Sequence, residues 1–309
     1  MTHTEIDALV RQFLVDTATR GTPHPRVQQV VTRLTADLFK AIEDLDLTAD
    51  EVWRGIEYFA EAGATHELGL LAAGLGLERF LDIRADAADT RAGLTGATPR
   101  TIEGPLYVAG APESIGFARL DEAGADGGAE GEVLFMQGSV RGTDGTPLAG
   151  ARVEVWHANQ LGNYSFFDKT QPAFHLRRTI ITDSNGRYQF RSTMPMGYGC
   201  PPAGTTQRLL DLLARHGRRP AHIHFFVSAP GHRKLTTQIN IDGDAFLWDD
   251  FAFASRDGLV PAVRRIDDPA RMDRHGVDRP FASIDFDFRL HRDMAGAPAA
   301  EVARQRAAA

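Results

Sequence analysis

From about Gly131 the chain becomes a series of short β-branched and aromatic runs broken by turn dipeptides, and this most limits its fold. VLFMQGSVRG (133–142) is followed by Asp144-Gly145, ARVEVWHA (151–158) by RTIITD (178–183), and Asn185-Gly186 by RYQFRS (187–192). Asp-Gly and Asn-Gly between such runs are hairpin signals, because glycine takes the positive φ that a tight two-residue turn demands. Several antiparallel strands at this spacing predict a sandwich or barrel. The small, polar stretch Leu120 to Glu132 reads as a surface loop, and the tail from Ala295 as frayed or loosely docked.

The first part of the chain has a different period. Apolar residues recur at helical spacing through Ile6, Leu9, Val10, Phe13 and Leu14, and again through Val27, Val31, Leu34 and Leu38. Thr48 to Glu51 has the T-x-x-E form of a capping box, ahead of Val52, Ile56 and Phe59. A further helix is predicted over Glu67 to Ile83, with glycines weakening its middle. The expected class is therefore mainly β with an α-helical N-terminal domain: a helical dimerisation domain at 1–95 and an antiparallel β-sandwich at 96–309. Val27, Val31, Leu34, Leu38, Ala41 and Leu45 follow a 4-3-4-3-4 spacing, an a/d stripe that Val30, Phe39 and Ile42 widen. That stripe can pack on the chain itself or on a copy across a two-fold axis, and the expectation is a homodimer through these helices.

Charge and composition exclude several partners. A formal charge of -7 over 309 residues, with no basic cluster, argues against nucleic acid. No apolar run approaches the roughly 20 residues of a membrane span, and the N-terminal pattern lacks a signal peptide, so a cytoplasmic protein is expected. Cys200 is the only cysteine, so any metal must sit on nitrogen and oxygen ligands.

The stretch RRPAHIHFFVSAPGH, Arg218 to His232, puts two histidines on one face of a strand: His222, His224 and Phe226 point one way and Ile223, Phe225 and Val227 the other. Such a pair suits a clamp for iron, zinc or copper, or two hydrogen-bonded strand histidines. Of the five tyrosines, Tyr164 in LGNYSFFD and Tyr198 in MPMGYGCPP sit in loops at strand ends, where glycine and proline oppose regular structure around Tyr198. Tyr58, Tyr107 and Tyr188 read as packing, as do Trp156 and His157 in their strand. Phenolate is a hard donor that ferric iron holds deprotonated at neutral pH despite a free pKa of about 10, whereas protein zinc sites favour Cys, His and carboxylate. Two tyrosines with two histidines thus point to non-haem Fe(III). A metal-free β-sandwich binding module and a zinc hydrolase are the readings from other classes; the first gives no reason for the four side chains, and the second needs a carboxylate base.

Residues Thr101 to Leu259 resemble the intradiol ring-cleaving dioxygenases. The resemblance is carried by PRTIEGPLYVAGAP (99–112), VEVWHANQLGNYSFFD (153–168), MPMGYGCPPAG (194–204), RPAHIHFFVSAPGHRKLTTQIN (219–240) and WDDFAFASRDGL (248–259), in the family's order, and the helical N-terminal part matches the family's dimerisation domain. It implies one Fe(III) per subunit on Tyr164, Tyr198, His222 and His224, with Tyr198 the ligand that leaves and takes a substrate proton. It places Arg219 and Gln238 beside the substrate, where arginine, always protonated, stabilises developing charge. For these two residues a surface ion pair and a plain strand amide are the bland alternatives. It also implies an apolar slot from Leu70, Ala73, Ile102, Pro105, Leu106, Phe251 and Ala252. The activity implied is cleavage of catechol with O2 to cis,cis-muconate, with hydroxyquinol and chlorocatechol as alternative substrates within the family.

Overall fold

Gly76 decides how the helical segment ends. Instead of one helix over Glu67 to Ile83, the computed structural model has α4 at Leu68–Gly74 and α5 at Leu77–Arg91, split where Gly76 adopts φ +77°, a conformation that interrupts the helical hydrogen bonds. Before them lie α1 (His3–Leu14), α2 (Pro25–Asp44) and α3 (Ala49–Ala64). The expected capping box forms at α3, with Thr48 accepting from the Glu51 N–H and Glu51 reaching back to the Thr48 N–H. The structure describes residues 1–17, 21–121, 131–165 and 167–294, and the backbone of 307–308. Most of the expected loop at 120–132 and most of the expected frayed tail lie outside the described residues.

Residues 1–65 pack as one unit and those from His66 as a second, so α4 and α5 group with the strands. In the first unit Ile6 and Val10 of α1 bury against Ala36 of α2, with Leu14 and Phe39 at the edge of the contact. That contact uses one side of α2. The predicted stripe stays open: Leu34 is 63% exposed and Leu38 56%.

In the second unit the chain runs through β1 (Val108–Ala109), β2 (Glu113–Ile115), β3 (Phe117–Arg119), β4 (Val133–Gly142), β5 (Arg152–His157), β6 (Arg177–Ile181), β7 (Arg187–Thr193) and β8 (Tyr198–Gly199). It continues through α6 (Thr205–Leu212), β9 (Arg218–Arg219), β10 (His222–Ser228), β11 (Leu235–Asn240), β12 (Arg264–Ile266), α7 (Pro269–Arg274), β13 (Phe281–Asp285) and β14 (Phe288–Leu290). Two sheets dominate. One has the order β11-β10-β5-β6-β2; the other has β12-β13-β4-β7-β3, with β14 also on β4. Val153, Val155, Ile223, Phe225 and Val227 of the first meet Leu134, Met136, Phe190, Ile284 and Phe288 of the second in one buried cluster. Each such side chain contributes about 1.5–3 kcal/mol by leaving water.

The sandwich is not purely antiparallel, contrary to expectation. β2 runs parallel to β6, β3 to β7, and both β13 and β14 to β4. Parallel partners need long connections, and each of these pairs is distant in sequence. The turn dipeptides explain why the sequence suggested otherwise. Asp144-Gly145 and Asn185-Gly186 do make tight turns, closed by Gly145 N–H to the Gly142 carbonyl and Gly186 N–H to the Asp183 carbonyl. In each only the glycine has positive φ. The turns then carry the chain from one sheet to the other, β4 to β5 and β6 to β7, instead of joining paired strands.

Candidate metal centre

Because Ile223, Phe225 and Val227 fill the sandwich interior, period-two alternation forces His222 and His224 onto the outer face of β10, and both are 1% exposed. Their Nε2 atoms lie 3.1 Å apart. Two nitrogens bound at right angles to one ion at ~2.1 Å are separated by ~3.0 Å, so the pair is spaced like neighbouring ligands. Nδ1 of His222 lies 2.6 Å from the Pro220 carbonyl, which can only accept; that nitrogen carries the proton and Nε2 presents its lone pair. Burial, reinforced by the Arg219 cation, lowers the His222 pKa to about 3, and burial with His222 beside it holds His224 well below the usual imidazole range. Both rings are neutral at physiological pH, the form that ligates.

Tyr198 closes on this pair, and Tyr164 packs against Tyr198. Tyr198 is in a two-residue strand, β8, paired with β9 so that it stands opposite Arg219. Sequence reading placed it in irregular backbone; the glycine before it is what permits pairing, since a Cβ at Gly197 would sit 2.6 Å from the Arg219 carbonyl oxygen. The Tyr198 hydroxyl lies 3.5 Å from His222 Nε2. Tyr164 remains in a loop after β5, buried, its ring edge-on to Tyr198 at 5.5 Å. Its hydroxyl is buried with no hydrogen-bond partner, and burial holds its pKa well above the usual phenol value. A buried hydroxyl of this kind costs free energy unless something accepts or replaces its proton. Among the described residues no cluster of three or more His, Cys, Asp or Glu is placed to hold a metal, so an ion here must accept phenol oxygens. Ferric iron is the ion this donor set suits.

Arg219 is not a surface ion pair: it is 3% exposed. Burial works against its charge, but Asp250 at 3.1 Å more than compensates and keeps the guanidinium protonated. Its Nη1 lies 3.0 Å from His222 Nε2, and Nη2 donates to Gln238 Oε1 at 2.8 Å. Gln238 stands opposite His224 in the β10–β11 register and donates onward to Asn240, which donates to Ser255. Leu70, Ala73, Ile102, Phe251 and Ala252 share one apolar cluster, and Leu106 packs in the cluster of Tyr164 and Tyr198. Pro105 is exposed, next to Gly69 of α4.

Four features escaped the sequence reading. Trp156, taken as core, lies flat on His224, with ring centroids 5.0 Å apart and planes 6° apart. The period-two rule was a usable signal, because Val153 and Val155 point inward and Trp156 must point outward. Asp250 lay inside a quoted motif without a role. Glu67 caps α6 from a distance, accepting the Thr205 and Thr206 N–H groups and so tying the α4 wall to the Tyr198 loop. Burial opposes the Glu67 charge, but those hydrogen bonds hold its pKa below the ordinary value. Arg177, 1% exposed, sits 5.8 Å from the Tyr164 ring centroid, and burial lowers its pKa to about 10. A separate cleft of about 490 Å³ runs along α5 and shares only Ile102 with the expected pocket.

Residues 102–292 match the dioxygenase family model, and residues 24–93 match the model for the catechol dioxygenase N terminus. The chain is 58% identical over 298 residues to catechol 1,2-dioxygenase of Acinetobacter guillouiae, covering 96% of this chain and 97% of that one. It is 64% identical over 260 residues to catechol 1,2-dioxygenase 2 of Acinetobacter lwoffii, covering 84% and 92%. The crystal structure of wild-type Acinetobacter radioresistens catechol 1,2-dioxygenase superposes with a TM-score of 0.97 at 60% identity, over 100% of this chain and 99% of that chain. A hydroxyquinol 1,2-dioxygenase of Rhizobium is more distant, at 33% identity over 88% and 92%. With the fold, the N-terminal helices and the sheet-borne motifs all matched, the chain belongs to the intradiol ring-cleaving dioxygenase family.

Proposed function

We propose that the protein is a cytoplasmic homodimer that cleaves catechol with O2 to cis,cis-muconate, each subunit holding one Fe(III) on Tyr164, Tyr198, His222 and His224. The observation that carries this reading is a pair of neutral imidazoles with Nε2 atoms 3.1 Å apart and the Tyr198 hydroxyl 3.5 Å from the Nε2 of His222. Ferric iron, when bound, supplies Lewis acidity toward the diol and keeps the ligand phenols ionised at neutral pH.

The protein's own residues account for the rest. Tyr198, partly exposed on a two-residue strand, is the phenol able to swing away and accept a catechol proton, whereas buried Tyr164 stays. Arg219, held charged and dry, stabilises negative charge developing on the ring. Gln238 fixes the arginine's second amino group. Leu70, Ala73, Ile102, Leu106, Phe251 and Ala252 give an apolar slot that excludes water, with Pro105 at its exposed rim. Both atoms of O2 enter the product, which balances catechol plus O2 against muconic acid. Support for the choice of catechol is that relatives bearing that name are 48–64% identical while the Rhizobium hydroxyquinol enzyme is at 33%. The open stripe of α2 supports the dimer.

The test is the iron-loaded protein with catechol and with protocatechuate. Catechol should give cis,cis-muconate, and protocatechuate should be rejected, because burying its carboxylate without a partner costs several kcal/mol. Comparable kcat/KM for protocatechuate, a ring-opened semialdehyde product, or full activity without iron would overturn the proposal.

A further inference from the structure

The loop that delivers Phe251 and Ala252 to the apolar wall begins with a buried carboxylate. Asp250 is 6% exposed and meets Arg219 three times: Nε lies 3.2 Å from Oδ1 and 3.4 Å from Oδ2, and Nη2 lies 3.1 Å from Oδ2. The carboxylate is itself fixed. Its Oδ1 accepts the Ala252 N–H at 3.0 Å, and the Phe251 N–H donates to the Arg218 carbonyl at 3.0 Å, locking the loop to β9.

An arginine side chain is long and rotatable, and its fork fits a carboxylate side-on. With Nε and Nη2 committed to Asp250, and Nη2 also to Gln238, only Nη1 remains to face the histidine pair, 3.0 Å from His222 Nε2. We propose that Asp250 is a positioning residue: it fixes the single Arg219 rotamer that aims Nη1 at the reacting centre. Because Phe251 and Ala252 follow it directly, the same loop sets both the wall and the direction of the charge. This step rests on the reading of Arg219 as the group that stabilises charge on the substrate.

The experiment is a cycle of D250N, R219Q and the double variant, each assayed for iron content, the ferric–tyrosinate absorption band, kcat and KM, with a crystal structure of D250N. Asparagine keeps the shape but can receive only part of the arginine's fork. D250N should keep iron and the band, hold KM within about threefold, and lose roughly 10- to 100-fold in kcat, the scale of a misplaced group. D250E should recover part of that loss. In the R219Q background D250N should cost less than about twofold, because the residue it positions is already gone. The D250N crystal structure should have Arg219 moved off His222 and Gln238. A kcat within twofold of wild type, the same loss with and without Arg219, or an unmoved Arg219 would overturn the inference. If D250N alone does not fold, R219Q/D250N against R219Q decides, since the pair removes both buried charges: equal activity supports positioning and unequal activity refutes it. A wild type that does not cleave catechol refutes the proposed function alone, and the Arg219 rotamer in D250N still decides this step.

Discussion

Replacing Trp156 with leucine should weaken iron binding, which a comparable loss of stability elsewhere in the fold should not do. His222 is oriented by its Nδ1 contact with Pro220, but Nδ1 of His224 is buried without a protein partner. What fixes the His224 ring is the indole lying flat on it, 5.0 Å between centroids and 6° between planes. Such a stacked pair is worth about 0.5–1.5 kcal/mol beyond its buried area. If that energy holds the imidazole in its ligating pose, W156L should raise the iron Kd roughly 2- to 12-fold. The cavity lowers stability too, by less than the roughly 3–5 kcal/mol of Trp→Ala. Part of that loss is recovered because Trp156 Nε1 is itself buried without an acceptor, a desolvation cost of about 1–3 kcal/mol that leucine removes. Chelator competition gives the affinity and thermal unfolding the stability. Phe288→Leu, a fully buried change in the sandwich interior, controls for stability loss alone. W156F, which keeps an aromatic face, should lie between W156L and wild type. A lower Tm with unchanged iron affinity in W156L, or an equal affinity loss in F288L, would show that the stack does not hold the ligand.

The two phenols should separate spectroscopically: with catechol bound, the tyrosinate band should persist in Tyr198→Phe, which retains iron but turns over poorly, and should disappear in Tyr164→Phe. Asp82 offers a pH test away from the site. Burial pushes its pKa from 3.8 up to about 6, and Asp86 adds to this while Arg100, Arg256 and Arg79 oppose it. Stability from this group is therefore full below about pH 3.8 and is lost as pH rises through 6, so the advantage of D82N in urea unfolding should grow by about 2 kcal/mol between pH 4 and pH 8. A constant difference across that range would contradict the assignment. Leu34→Glu with Leu38→Glu, on the open face of α2, should convert a sedimenting dimer to monomer; an unchanged dimer would remove this helix from the interface.

What could be read from the chain depended on whether a feature is local or relational. The face shared by His222 and His224 was legible because a strand's side-chain period is two, with no free parameter once the strand is assigned. The proposed donor set could be named from the sequence because tyrosine, histidine and an isolated cysteine carry their chemistry in their identity. The capping box at Thr48, the α2 stripe and the inward set of β10 are of the same kind. Strand partners are not local. Asp-Gly and Asn-Gly specified turns but could not specify whether the strand after the turn joins the one before it or crosses to the other sheet, and here both cross. The mixed character of the sheets comes from strands still farther off in the chain, β2, β3, β13 and β14, each laid parallel to its partner.

The same distinction separates the four side chains proposed to ligate from the groups that support them. Trp156 reaches His224 only because β5 is the neighbour of β10, in a register that sets those two residues opposite each other. Asp250 reaches Arg219 across 31 positions of chain, and Glu67 caps α6 across 138. None of these has a spacing signature, yet Asp250 and Glu67 are buried carboxylates whose cost of burial has to be met by a specific partner. Such groups can be sought in a sequence by asking which charged residues fall between apolar ones inside a motif: WDDFAF contains one acid next to the wall residues, and its burial requires a cation. Arg219 is the cation it meets. The carboxylate's need for a charge partner and the arginine's need for a fixed direction are thus satisfied by one contact, which is why the orientation of the proposed catalytic charge is tied to the packing of the loop that closes the pocket.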